Sequence, residues 1–151
     1  FLSNGPGDPA KCKETINILQ EAISSKIKQP IFGICLGSQI MGLAIGAKTY
    51  KMPFGHRAQN HPCLETSSNK CFLTSQNHGF AIKPDTMPND WDISFKNLND
   101  NSIAGIKHKT SPYASVQFHP EANPGPVDTS YLFKSFFEDV VNYAKNKKAN
   151  K

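Results

Sequence analysis

At 151 residues, 38% of them hydrophobic and 19% charged, the chain has room for one domain with a real core, and its composition excludes disordered and fibrous classes. Seventeen Lys and Arg against 12 Asp and Glu leave a net charge of +5. The excess gathers in Lys145, Lys147, Lys148 and Lys151, which reads as a disordered, solvated tail over 145–151; no basic run is interleaved with aromatics as in a single-strand nucleic-acid binder.

In chain order, Phe1 to Ser3 reads as the end of a strand, and Asn4 to Pro9 as a run of turn residues. Ile16, Leu19, Ala22 and Ile23 then recur on one face of a helix. Pro30 to Ile34 is a short buried strand, and Leu36 to Ile45 a buried helix ended by Gly46. Two successive strand, loop, helix units predict a parallel sheet and an α/β fold. From Thr49 onward the pattern changes to short segments bounded by turn residues. Strands are expected at Lys48 to Met52, Cys71 to Thr74, Phe80 to Ile82, Ile93 to Asn97, Ile103 to His108 and Tyr113 to His119. Asp128 is placed to cap a last helix whose apolar positions are Tyr131, Leu132, Phe136, Val140 and Tyr143. The apolar stretch from Ile31 to Ala47 is too short and too interrupted to span a membrane. The opening FLSNGPGDP has no signal-peptide character and begins as if inside a strand, so the chain reads as a piece of something longer.

Four cysteines, Cys12, Cys35, Cys63 and Cys71, lack both CxxC spacing and the density of a disulfide scaffold, which suggests free thiols in a reducing compartment. No metal is expected, because His56 and His61 flank no suitably spaced cysteine pair.

Gly33-Ile34-Cys35-Leu36-Gly37 carries the chemistry. This G-x-C-x-G string, set between a buried strand and a buried helix, has the spacing of a nucleophile elbow. The following helix N-terminus would favour thiolate and lower the pKa. Alone, Cys35 fits a small buried side chain between packing glycines equally well. A thiolate also needs a base and the base an orienter. His119 ends an alternating strand and Glu121 follows beyond the rigid Pro120, placing a carboxylate within reach of one imidazole nitrogen. Such a tripeptide alone is a strand-terminating turn; with the elbow it becomes a base and its orienter. His56, His61, His78 and His108 lack that context. Acyl chemistry further needs oxyanion donors, for which the N–H groups of Gly7 and Leu36 are candidates. Ser75-Gln76-Asn77-His78-Gly79-Phe80 reads as a polar interruption of a hairpin, either a plain loop or a surface for an α-amino acid.

Taken together, FLSNGPGDP, PIFGICLGSQ, GAKTYKMPFGHRAQNHP, TSQNHGFA, NLNDNSIAGI and VQFHPEANPGP resemble the class I, triad-type glutamine amidotransferase domain of carbamoyl phosphate synthetase, from Phe1 to about Phe137. The resemblance implies a flavodoxin-like fold, a mostly parallel sheet flanked by helices with extra short antiparallel strands. It implies a single partial domain over 1–151, lacking the first strands of the fold and the N-terminal domain of the small subunit. By the same resemblance Cys35 forms a glutamyl thioester, His119 moves protons and Glu121 orients it. Gly5, Gly7, Leu36, Gln39, Asn77, Gly79 and Phe80 would contact L-glutamine. The ammonia would pass to a synthetase subunit or domain using bicarbonate, ATP and Mg, so no cofactor is expected here; no nucleic-acid or membrane partner is expected either, and the absent targeting signal and the thiol usage imply a cytoplasmic location. Ser38 departs from the family's usual histidine, which implies tuned activity. The alternatives are a glutaminase serving another synthetase, such as one making guanylate or anthranilate, and a non-catalytic interaction module.

Overall fold

The computed structural model of the chain describes residues 1–26 and 28–149. After a single 3-10 turn at Pro9–Lys11, capped by the Asp8 side chain, come α1 (Lys13–Ser24), β1 (Ile31–Ile34), α2 (Leu36–Ala44), β2 (Thr49–Glu65) and β3 (Lys70–Ile82). Then follow β4 (Trp91–Asn97), β5 (Ile103–His108), β6 (Tyr113–Val116) and α3 (Tyr131–Ala149). The six strands form one sheet in the order β1-β6-β5-β4-β2-β3.

The α/β class holds, with a different balance of directions from the one expected. β1 pairs parallel with β6, and Leu2 adds a parallel bridge to Gly33 on the other side of β1. All the other ladders are antiparallel. The connections explain this. β2 turns into β3 through residues 66–69 and β4 into β5 through 98–102, with Asn69 and Asn101 at positive φ; connections this short join only antiparallel neighbours. β1 and β6 are joined through residues 35–112, well beyond the dozen or so that a parallel pair requires.

Apolar burial divides between the two faces of the sheet. On one, Leu19 of α1 and Ile40, Met41 and Ala44 of α2 pack with Ile82, Trp91, Ile106 and Tyr113. On the other, Leu132, Phe133 and Phe136 of α3 cover Phe32, Val116 and Phe118. β1, covered on both faces, is buried along its whole length.

Several elements differ from the sequence reading. The segment from Ser75 to Phe80 does not interrupt a hairpin: it lies within β3, where Thr74, Gln76 and His78 are buried on alternate positions. β2 likewise runs on past Met52, with register shifts between Lys51 and His56 and between Ala58 and His61. β6 ends at Val116 rather than at His119. The last helix begins at Tyr131, too far along for Asp128 to cap it, and continues to Ala149. Residues 145–149, expected as a disordered tail, are therefore helical; Lys147 and Lys148 lie in the last turn, where positive charge suits the helix dipole. Positions 150 and 151 of that expected tail lie outside the described residues.

Candidate active site

Cys35 stands between the last residue of β1 and the first of α2, with φ 53 and ψ −104. A non-glycine residue held there costs on the order of 1–3 kcal/mol and persists only where its surroundings dictate it. They do so here through backbone bonds. The Cys35 N–H donates to the Val116 carbonyl (2.9 Å), and the N–H groups of Ser38 and Gln39 donate to the Cys35 carbonyl (3.1 and 3.2 Å). The flanking glycines serve clearance. A Cβ on Gly33 would stand 2.8 Å from the Gly37 carbonyl, and one on Gly37 only 2.4 Å from the Leu2 oxygen. The strain thus sits on the cysteine itself, and the glycines let β1, α2 and the Leu2 segment close around it.

His119 follows the end of β6 and is fixed by its N–H to the Ser75 carbonyl (2.8 Å). Its Nδ1 lies 2.8 Å from Glu121 Oε1. With the carboxylate accepting from Nδ1–H, Nε2 is left as the basic nitrogen. That atom is buried and has no hydrogen-bond partner among the described residues. Cys35 and His119 line one cavity of about 380 Å³, together with Asn4, Gly5, Pro6, Gly7, Gln39, Arg57, Asn77, His78, Gly79 and Phe80.

The thiol is not activated in the resting site. Burial pushes its pKa up to about 11, and the Glu121 charge adds to the effect, while the Leu36 N–H and the Gln117 side chain draw it down less strongly. The helix N-terminus expected to favour thiolate is present and is outweighed by desolvation, since the side chain is only 4% exposed.

Six of the seven residues expected to contact substrate, Gly5, Gly7, Gln39, Asn77, Gly79 and Phe80, line this cavity. Leu36 does not; it contributes its N–H beside the thiol and its side chain beneath Gly5, where a Cβ would come within 2.7 Å of Leu36 Cδ2. The Asn77 carbonyl is 3.8 Å from Cys35 Sγ. Gln39 donates from Nε2 to the Phe80 carbonyl (2.9 Å) and to Gln117 Oε1 (3.1 Å), so it braces the wall as well as lining it. Ser38 is buried away from the cavity, with its hydroxyl 2.8 Å from that of Ser115.

Sequence reasoning passed over Arg57, and it set His78 aside as lacking the context of a base. His78 lies in the wall with Nδ1 2.8 Å from the Phe80 carbonyl and Nε2 2.9 Å from Gln76 Oε1. Burial, reinforced by His56, His61 and His119 against the pull of the Phe80 carbonyl, lowers its pKa to about 4. With both ring nitrogens engaged by these partners, His78 forms part of the wall. No sequence signal marks it, because Ser75, Asn77 and Gly79 between Thr74, Gln76 and His78 are no more apolar than they are, and the buried face shows only in the structure.

The chain matches the family described as glutamine amidotransferase class-I over residues 1–139. It is 55% identical over 138 residues to the multifunctional protein CAD of Squalus acanthias, covering 91% of this chain and 6% of that protein. It is 50% identical over 143 residues to the carbamoyl phosphate synthase arginine-specific small chain of Debaryomyces hansenii, covering 95% of this chain and 33% of the relative. The chain thus spans a third or less of these relatives. In fold it superposes, with a TM-score of 0.81 at 22% identity, on a crystal structure of a Thermoplasma acidophilum protein assigned as a GMP synthase subunit, over 97% of this chain and 74% of that one.

Proposed function

Because the chain belongs to the class-I glutamine amidotransferase family, we propose that it hydrolyses L-glutamine to glutamate and ammonia, with Cys35 as nucleophile, His119 as base and then acid, and Glu121 as orienter. One observation carries this reading: Cys35 and His119 line a single cavity while Glu121 occupies the other nitrogen of the same imidazole.

The buried thiol sets the order of events. A thiol with a pKa of about 11 is neutral near pH 7, so it must lose its proton to His119 Nε2 as it attacks the amide carbon of the substrate side chain. Glu121, accepting from Nδ1–H, stabilises the imidazolium that results. The oxygen of the tetrahedral intermediate gains charge within reach of the Leu36 and Gly7 N–H groups. His119 then gives its proton to the departing nitrogen, ammonia leaves and a glutamyl thioester remains. Water, deprotonated by His119, attacks the thioester carbonyl; glutamate leaves and Cys35 takes back its proton.

The ammonia serves a carbamoyl phosphate synthetase subunit or domain, a reading supported by the names of the relatives and by their similarity along almost the whole chain. ATP and Mg belong to that partner. A cytoplasmic location accords with the four free thiols; among the described residues no helix is long and apolar enough to cross a membrane.

Glutamate release from glutamine, measured for native chain and Cys35→Ala with and without the synthetase partner, tests this. Native activity should exceed the variant's by at least about 10³-fold, and the partner should raise it. Equal, negligible rates in both proteins with the partner present would defeat the reading in favour of a non-catalytic interaction module.

A further inference from the structure

Among the described residues, two buried side-chain nitrogens have no hydrogen-bond partner, His119 Nε2 and Gln117 Nε2. The first is the base already described. The second belongs to a side chain only 2% exposed that takes no part in the proton transfers above. Leaving a buried donor unbonded costs free energy, so such an orphan calls for an acceptor that appears in another state of the site.

The orientation of this carboxamide is fixed from the backbone outward. The Phe80 carbonyl can only accept, so the Gln39 side-chain atom 2.9 Å from it is the amide nitrogen, Nε2. That nitrogen donates in turn to the Gln117 side-chain atom 3.1 Å away, which must therefore be the oxygen, Oε1. Gln117 cannot turn over without setting donor against donor. Its place is fixed as well. The Cys35 N–H donates to the carbonyl of Val116, the neighbour of Gln117, and the Cys35 carbonyl accepts from the N–H of Gln39, the partner of Gln117. The carboxamide is thereby held beside Cys35, near enough to the thiol to favour its charged form. A thiol sulfur is a weak acceptor and a thiolate a strong one, which is why the donor is unbonded at rest.

We propose that Gln117 is the donor that holds the Cys35 sulfur while it is negatively charged, its Nε2–H bonding to Sγ as His119 takes the thiol proton. No proton passes to or from Gln117. The bond weakens as the sulfur–carbon bond of the thioester forms and returns as water displaces the sulfur, so one donor serves both halves of the cycle. This deepens the glutaminase reading above, since the sulfur is the one that reading makes the nucleophile.

The test follows alkylation of Cys35 by iodoacetamide at pH 8 in the full chain, read by peptide mass spectrometry. Exposed Cys71 is the internal reference, and protection of the buried Cys63 reports on folding. Gln117→Met keeps the bulk and removes the donor. It should slow Cys35 about threefold or more with Cys71 unchanged: loss of a bond to the charged sulfur cuts the thiolate fraction about tenfold, and the more basic thiolate regains part of that as a better nucleophile. Gln39→Met, which frees the carboxamide to turn, should slow Cys35 less. A merely structural role predicts the opposite sign, because a loosened site exposes the thiol and speeds the reaction. An unchanged or faster Cys35 in a Gln117→Met chain that still protects Cys63 overturns the assignment. Should that variant expose Cys63, the sign of the change in Gln39→Met decides, and exposure of Cys63 in both overturns the assignment in favour of a structural brace. A native chain inert toward glutamine with the synthetase partner present, while these alkylation rates are as expected, overturns the glutaminase reading alone.

Discussion

The β1–α2 elbow and the β2–β3 hairpin both line one cavity and are built on different principles. The elbow is a matter of clearance: backbone atoms approach one another where any Cβ at Gly33 or Gly37 would collide. The hairpin is a matter of hydrogen bonding. Gln76 lies within hydrogen-bond distance of both His56 and His78, Asn97 reaches His56, and His56 Nε2 pairs with Asp100 at 3.0 Å. One wall therefore fails when volume is added, and the other when protons are.

Gly37→Ala is the sharpest way to break the first. The added methyl meets the Leu2 carbonyl oxygen, whose bond to the Ile34 N–H would have to shift. A loss of about 3 kcal/mol or more in denaturant unfolding is expected, in spite of the better helix propensity of alanine.

Acid is the way to break the second. The His78 pKa is lowered from 6.5 to about 4, so its contribution to stability is complete above pH 6.5 and is lost as the pH falls toward 4, where the unfolded chain takes up a proton that the folded one refuses. The loss amounts to roughly 3 kcal/mol. A stability profile measured over that range should fall steeply for the native chain and more gently for His78→Gln.

The smallest effect makes the contrast sharpest. Gly79→Ala, in the hairpin, places its methyl at ordinary contact distance from the Arg57 side chain. The denaturation midpoint should move by less than about 1 kcal/mol, whereas a loss as large as that of Gly37→Ala would mean that both walls are close-packed alike.

The same division explains what could be read from the sequence. β1, α1 and α2 announce themselves through apolar periodicity, and the Cys35, His119 and Glu121 constellation through residue types at the ends of elements. The hairpin was legible only in fragments. Its buried face is written in Thr74, Gln76 and His78, its strands carry Pro53 and Pro62, and its register shifts break the alternation. Arg57 was hidden for a related reason. An arginine on a strand reads as solvated surface until it is seen among the residues lining the cavity. The raised Cys35 pKa was equally invisible, because a helix N-terminus can be read from sequence while the depth of burial that outweighs it cannot.

The bond from the Cys35 N–H to the Val116 carbonyl has a consequence for how the chain acquires its chemistry. β2 and β3 close on each other across a short turn, a fast and local event, whereas β1 meets β6 only after a loop containing most of the chain has been drawn together, at a larger cost in entropy. A molecule that has formed its hairpin but not yet that parallel pair owns one wall of the cavity and has nothing to hold Cys35 against it. Until that pair forms, the bond that fixes Cys35 against Val116 is absent and the elbow stands apart from the wall that β2 and β3 supply.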